Sequence, residues 1–151
     1  MAGQPTQSEE DYLERIHELA AGRGFARVSE VAESLRVKQA SVTNMVQRLG
    51  EQGYLDYEKY RGLVLTEKGR TVACRIQQRH LTLSRFFSVI GIGPEAQQRD
   101  IEGIEHHLSA ETLAALADVA RYFEQHPDAL AAFRASRATA DQTWPPPPPG
   151  S

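Results

Sequence analysis

The sequence predicts a mainly α chain in two parts, three short helices and a β-hairpin first, then a long helix leading into further helices. Three observations carry this prediction. Apolar residues recur at helical spacing along most of the chain, the β-prone residues crowd into the single stretch Tyr54–Leu65, and the charge is divided by region. Residues 34–85 hold ten Lys or Arg against Glu51, Asp56, Glu58 and Glu67, a net +6 inside a chain of net −3. A basic middle between acidic flanks suits one region that meets phosphates and another that gathers cations.

Taken in order, Ser8 is the expected N-cap of the first helix, with Glu9, Glu10 and Asp11 in its first turn and Leu13, Ile16 and Leu19 as its apolar stripe. Gly22 and Gly24 end it. Ser29 is expected to cap a second, short helix with Val31, Ala32 and Leu35 inward, and after a break at Arg36 and Val37 a third begins near Gln39 and stops before Gly53. Val42, Val46 and Leu49 form its buried stripe, leaving Ser, Thr, Asn, Gln and Arg outside. That is the helix-turn-helix pattern. The hairpin around Lys59–Gly62 then reads as its wing. Thr66 is expected to cap a long helix reaching about Ile90, Pro94 to open the next, Ser109 to cap another and Pro127 to start a last amphipathic turn.

The predicted fold is thus an N-terminal winged helix-turn-helix, three helices plus a hairpin, joined by a long helix to an all-α dimerisation domain. Residues 1–70 form the DNA-binding part, 71–135 the helical dimerisation and metal-binding part, and 136–151 a disordered tail that ends in five prolines, Gly150 and Ser151. With 151 residues, 40% of them hydrophobic, the chain can bury one ordinary core or two small ones. It shows no stretch near the ~20 apolar residues of a membrane span and no leader, so a soluble, cytoplasmic protein without a membrane partner is expected. Cys74 is the only cysteine, which excludes an internal disulfide and a thiolate-rich zinc site; lying amid Val72, Ala73 and Ile76, it reads as a buried, inert thiol.

The run Ile101–Leu108 places Glu102, Glu105 and His106 at helical spacing, where their side chains converge on one point suited to a divalent ion. Asp11 and Glu14 share a face of the first helix, and His80 interrupts the long one. Each has an ordinary structural explanation alone. Together they make four carboxylates and two imidazoles with no thiolate, a donor set for harder ions such as Mn²⁺ or Fe²⁺. Motifs for catalysis are missing: there is no nucleophile elbow, phosphate-cradling loop or zinc-peptidase pattern, so neither an enzyme nor a small organic substrate is expected. On the third helix, Gln39, Ser41 and Asn44 are the candidates for base edges, and Lys38, Thr43 and Arg48, with Lys59 and Arg61 of the wing, for phosphates.

Glu58-Lys59-Tyr60-Arg61-Gly62-Leu63-Val64-Leu65-Thr66, Arg79-His80 and Glu102-Gly103-Ile104-Glu105-His106-His107-Leu108 together resemble the manganese transport regulators, members of the iron-dependent/diphtheria-toxin repressor superfamily, over residues 8 to 125. The resemblance implies a metal-responsive repressor of manganese uptake that works as a homodimer on double-stranded, palindromic operator DNA. It implies Asp11, Glu14, His80, Glu102, Glu105 and His106 as ligands of two Mn(II) per subunit, with Fe(II), Zn(II), Co(II) or Cd(II) able to substitute. Iron-responsive relatives carry Met and Cys where Asp11 and Glu102 stand, so carboxylate here favours Mn²⁺. An iron or zinc sensor of the same architecture is the alternative. A metalloenzyme or metal-buffering protein would leave the basic middle unexplained.

Overall fold

The computed structural model describes residues 3–139, and the proline-rich tail lies outside them. Its elements are α1 (Gln7–Ala20), α2 (Val28–Leu35), α3 (Gln39–Glu51), β1 (Leu55–Glu58), β2 (Gly62–Leu65), α4 (Glu67–Val89), α5 (Pro94–Ile104), α6 (Ala110–Gln125) and α7 (Pro127–Thr139). They form two compact units. Among the described residues, the first spans 3–81 together with the turn Glu105–His107; the second holds 82–104 and 108–139.

In the first unit, the stripes Leu13/Ile16, Val31/Ala32 and Val42/Val46/Leu49 meet over Leu55, Leu63 and Leu65 of the hairpin and Val72, Ala73 and Ile76 of α4. The hairpin is antiparallel, Leu55 opposite Leu65 and Glu58 opposite Gly62, and Ala26 adds one bridge to Leu63. Gly62 permits that bridge: at φ +120° a Cβ there would stand 2.6 Å from the Ala26 carbonyl oxygen. Between α2 and α3 the chain turns through Arg36 in the left-handed region, where the Val37 N–H donates to the Ala32 carbonyl and closes the helix end. The break expected at Arg36 and Val37 is this turn.

Two helix starts differ from expectation. Thr6, rather than Ser8, caps α1: its hydroxyl accepts from the Glu9 N–H while the Glu9 carboxylate accepts from the Thr6 N–H, a closed capping box. Starting there buries Glu9, whose other oxygen accepts from Arg48 and Gln52 at the far end of α3. At α2 the Glu30 carboxylate, which accepts from the Arg27 N–H, does the work assigned to Ser29. Thr66 and Ser109 cap α4 and α6 as expected, each accepting a backbone N–H three residues on. Cys74 is exposed, contrary to expectation, its Sγ 3.9 Å from His17 Nε2. Val72, Ala73 and Ile76 share the buried face of α4, and the 100° step per residue turns Cys74 away from it.

The second unit rests on a smaller core of Leu83, Ile101 and Leu113, with Phe87, Ile104, Leu108 and Leu116 against it. The last segment is a helix of 13 residues, longer than the single turn expected from its sequence. It closes onto α4, because Arg134 donates to the Val89 carbonyl and Arg137 to the Ile90 carbonyl, satisfying groups the helix end leaves without intrahelical partners.

Candidate metal centre and nucleic-acid interface

The first half of the site is built by α1. Its capping box fixes the helix register, so Glu10, Asp11 and Glu14 project from one end on neighbouring faces. The second half comes from α4, which presents His80, and from the turn after α5. That helix ends at Ile104, so Glu105 and His106 sit in a turn rather than on the continuous helix the sequence suggests. Glu102 stays on α5, exposed, within the second unit.

Within the first unit the turn brings together residues far apart in sequence. The His106 imidazole is 4% exposed, with Nδ1 2.7 Å from Glu10 Oε2 and Nε2 2.9 Å from Asp11 Oδ1. Glu105 Oε1 lies 3.7 Å from the same Nε2, and its Oε2 lies 3.1 Å from His80 Nδ1. One carboxylate therefore spans two imidazoles. Burial pushes the Glu105 carboxyl above its ordinary value of 4.5, with His80 and His106 opposing. Burial also pushes Glu14 up, to about 7, and the nearby charge of Glu105 adds to the effect. Asp11 and His80 remain partly open to solvent, whereas Glu105 and His106 are shut in.

Buried carboxyls held above their ordinary range, beside imidazole nitrogens, are groups whose charge a divalent cation would compensate, and oxygen with imidazole suits an ion on the hard side of the transition metals. In donor chemistry the residues fit. The arrangement as it stands is made of pairs: among the described residues no group of three or more His, Cys, Asp or Glu is closed to ion-holding geometry. Glu10 is the member that sequence reasoning missed. Its spacing resembles that of any acid in a first helical turn, and nothing local signals a partner 96 positions away.

The other face of the first unit carries α3. Lys38, Gln39, Ser41, Thr43, Asn44, Gln47 and Arg48 are all exposed, opposite the buried Val42, Val46 and Leu49. Thr43 donates its hydroxyl to the Gln39 carbonyl, and Arg48 is tied to Glu9 at 2.8 Å. That tie was not legible, because it depends on where α1 begins. At the wing tip Lys59 and Arg61 are exposed, Arg61 3.6 Å from Glu58 and Lys59 over the ring of Tyr60, itself 92% exposed. A polar helix beside an open basic hairpin can enter a groove and touch the flanking backbone.

Residues 5–63 match the iron dependent repressor N-terminal DNA binding domain, and residues 66–133 the iron dependent repressor metal binding and dimerisation domain. The chain is 48% identical over 139 residues to the HTH-type transcriptional regulator MntR of Listeria monocytogenes (strain HCC23), covering 92% of this chain and 98% of that one. It belongs to the manganese transport regulators of the iron-dependent repressor family. Among solved structures it resembles the manganese regulator SloR (TM-score 0.67, 25% identity, 76% of this chain and 54% of that one). It also resembles ScaR with bound Zn²⁺ (TM-score 0.66, 26% identity, 78% of this chain and 55% of that one). As a manganese transport regulator the chain is a DNA-binding transcriptional regulator and not an enzyme, with DNA and a second copy of itself as partners. No helix among the described residues is long and apolar enough to cross a membrane.

Proposed function

We propose that this regulator responds to Mn(II) in the cytoplasm and, when loaded, represses genes for manganese uptake. The observation that carries the reading is the gathering of Asp11, Glu105, His80 and His106, with Glu14 pushed to about 7 beside them, in the same compact unit as α3 and the wing. Glu102 completes the six-residue set for two Mn(II) per subunit. Fe(II), Zn(II), Co(II) or Cd(II) would find the same donors acceptable, and the Zn²⁺-bound ScaR structure supports that breadth.

A bound ion would supply positive charge where carboxylates collect. The acids gathered there would then cease to repel one another, and the dimer would be confined to one spacing of its recognition helices, the spacing that fits a palindromic operator. Gln39, Ser41 and Asn44 read bases, while Lys38, Thr43, Arg48, Lys59 and Arg61 hold phosphates. DNA and metal are coupled by about 1 to 3 kcal/mol, so each tightens the other roughly 5- to 150-fold.

The test is a fluorescence-anisotropy titration of DNA from upstream of a manganese transporter gene, at fixed ionic strength, with Mn²⁺, Fe²⁺, Zn²⁺ or a chelator. Tightest binding with Mn²⁺ and weak binding in chelator support the proposal. Equal affinity in Mn²⁺ and chelator overturns it, and a preference for Fe²⁺ or Zn²⁺ assigns the site to that ion.

A further inference from the structure

Glu10 has no part in the donor set, yet its side chain is only 16% exposed and is committed to His106. It is not needed as a cap, because Glu9 closes the capping box of α1. A general first-turn acid gains its favourable interaction with the helix dipole while remaining in water, so the dipole does not explain the burial. What distinguishes Glu10 is its place on the imidazole. Glu10 and Asp11 are consecutive, so they leave the helix about 100° apart and straddle the ring, one carboxylate on each nitrogen.

The two nitrogens face different surroundings. Nε2 is turned toward Asp11 and, at 3.7 Å, toward Glu105. Nδ1 is turned to Glu10, 2.7 Å away. An imidazole takes a divalent cation only through a nitrogen that has given up its proton. The other nitrogen then carries the single ring proton and, on a ring only 4% exposed, requires an acceptor. We infer that Glu10 is a positioning residue for the metal centre, accepting the Nδ1–H of His106 so that the Nε2 lone pair stays aimed at the space beside Asp11 and Glu105. This rests on the reading of His106 as a ligand. The carboxylate fixes which tautomer is present and holds the ring plane.

Full-length Glu10→Ala, Glu10→Gln and His106→Ala proteins are compared with the parent in two measurements. The first is Mn(II) affinity by competition with a fluorescent chelator. The second is the ¹⁵N spectrum of the histidines in the diamagnetic Cd(II)-loaded protein, which shows which ring nitrogen bears the proton and which couples to cadmium. The parent is expected to show Nδ1–H and coordinated Nε2 at His106. Glu10→Ala lowers Mn(II) affinity by about 10- to 100-fold, the range in which lost outer partners of a ligating histidine act. Glu10→Gln, whose amide oxygen still accepts from Nδ1–H, keeps the tautomer and recovers most of the affinity. Should Glu10→Ala fail to fold, Glu10→Gln and the parent spectrum still decide.

Coordination through Nδ1, or Glu10→Ala with unchanged affinity while His106→Ala abolishes binding, overturns the role of Glu10 alone. His106→Ala with unchanged affinity overturns the reading of the metal site itself.

Discussion

Burial and the Glu105 charge hold the Glu14 carboxyl at about 7 against an ordinary 4.5, and this sets the sign of a pH response. Below about 4.5 Glu14 is protonated folded or unfolded, and its raised pKa favours the folded chain in full. As pH rises to about 7, the unfolded chain releases the proton first and that stabilisation is lost, with none remaining above about 7. Urea midpoints in chelator should therefore fall across this window, and Glu14→Gln should remove much of the fall; an unchanged slope would assign it to another group. A cation displaces the same proton, so metal affinity should climb over the same interval. Glu9 works in the opposite sense: burial raises it, but hydrogen bonds from the Thr6 N–H and Gln52, with the Arg48 charge, prevail and hold it below 4.5. Its contribution is present above 4.5 and lost as pH falls through its lowered value. Glu105→Ala should weaken metal activation of DNA binding at least about tenfold while thermal melts followed by circular dichroism stay cooperative. A protein that simply unfolds would make Glu105 a structural residue.

Among the elements, α3 and the hairpin make separable contributions. Asn44→Ala should cost about 1–3 kcal/mol of operator discrimination with metal binding intact. Lys59→Ala or Arg61→Ala should weaken every sequence alike and lower the salt slope by about one. Titrations on operator and scrambled DNA at several salt concentrations separate the two outcomes. Gly69, in the first turn of α4, packs so closely that a Cβ would stand 2.0 Å from the Tyr54 carbonyl oxygen. Gly69→Ala should destabilise by about 1–3 kcal/mol in urea denaturation, in spite of alanine's higher helix propensity. The helices and the hairpin were legible because period and turn chemistry are local properties. Helix ends were less so. Ser8 and Ser29 are good caps by residue type, but the choice fell to Thr6 and to Glu30 because those starts let Glu9 meet Arg48 and let Glu30 take the Arg27 N–H. The end of α5 at Ile104 was equally hidden, since the spacing of Glu102, Glu105 and His106 fits a helix whether or not the backbone continues.

For the whole molecule, the second unit has a small core, and α6 leaves Val119 and Tyr122 exposed, Tyr122 by 52%. In a chain with a dimerisation domain such apolar positions suit packing against a second copy. Tyr122→Glu or Val119→Glu should shift sedimentation toward monomer and weaken operator binding, with metal affinity unaltered; dimers that persist would place the interface elsewhere. Spacing within single helices marked the candidate donors one cluster at a time, and their roles as ligands of one centre rest on likeness to a family. Asp11, His80 and His106 come from α1, α4 and a turn, and no periodicity links them.

That turn has a consequence for anyone dividing the chain. Glu105–His107 is encoded after α5 but belongs with the first unit. A fragment ending at Leu81 would retain α3 and the wing and forfeit an imidazole and a buried acid. Such a piece is expected to grip DNA identically with or without manganese, deaf to the signal, so chimeras that exchange sensory halves at this boundary would transplant only part of the sensor.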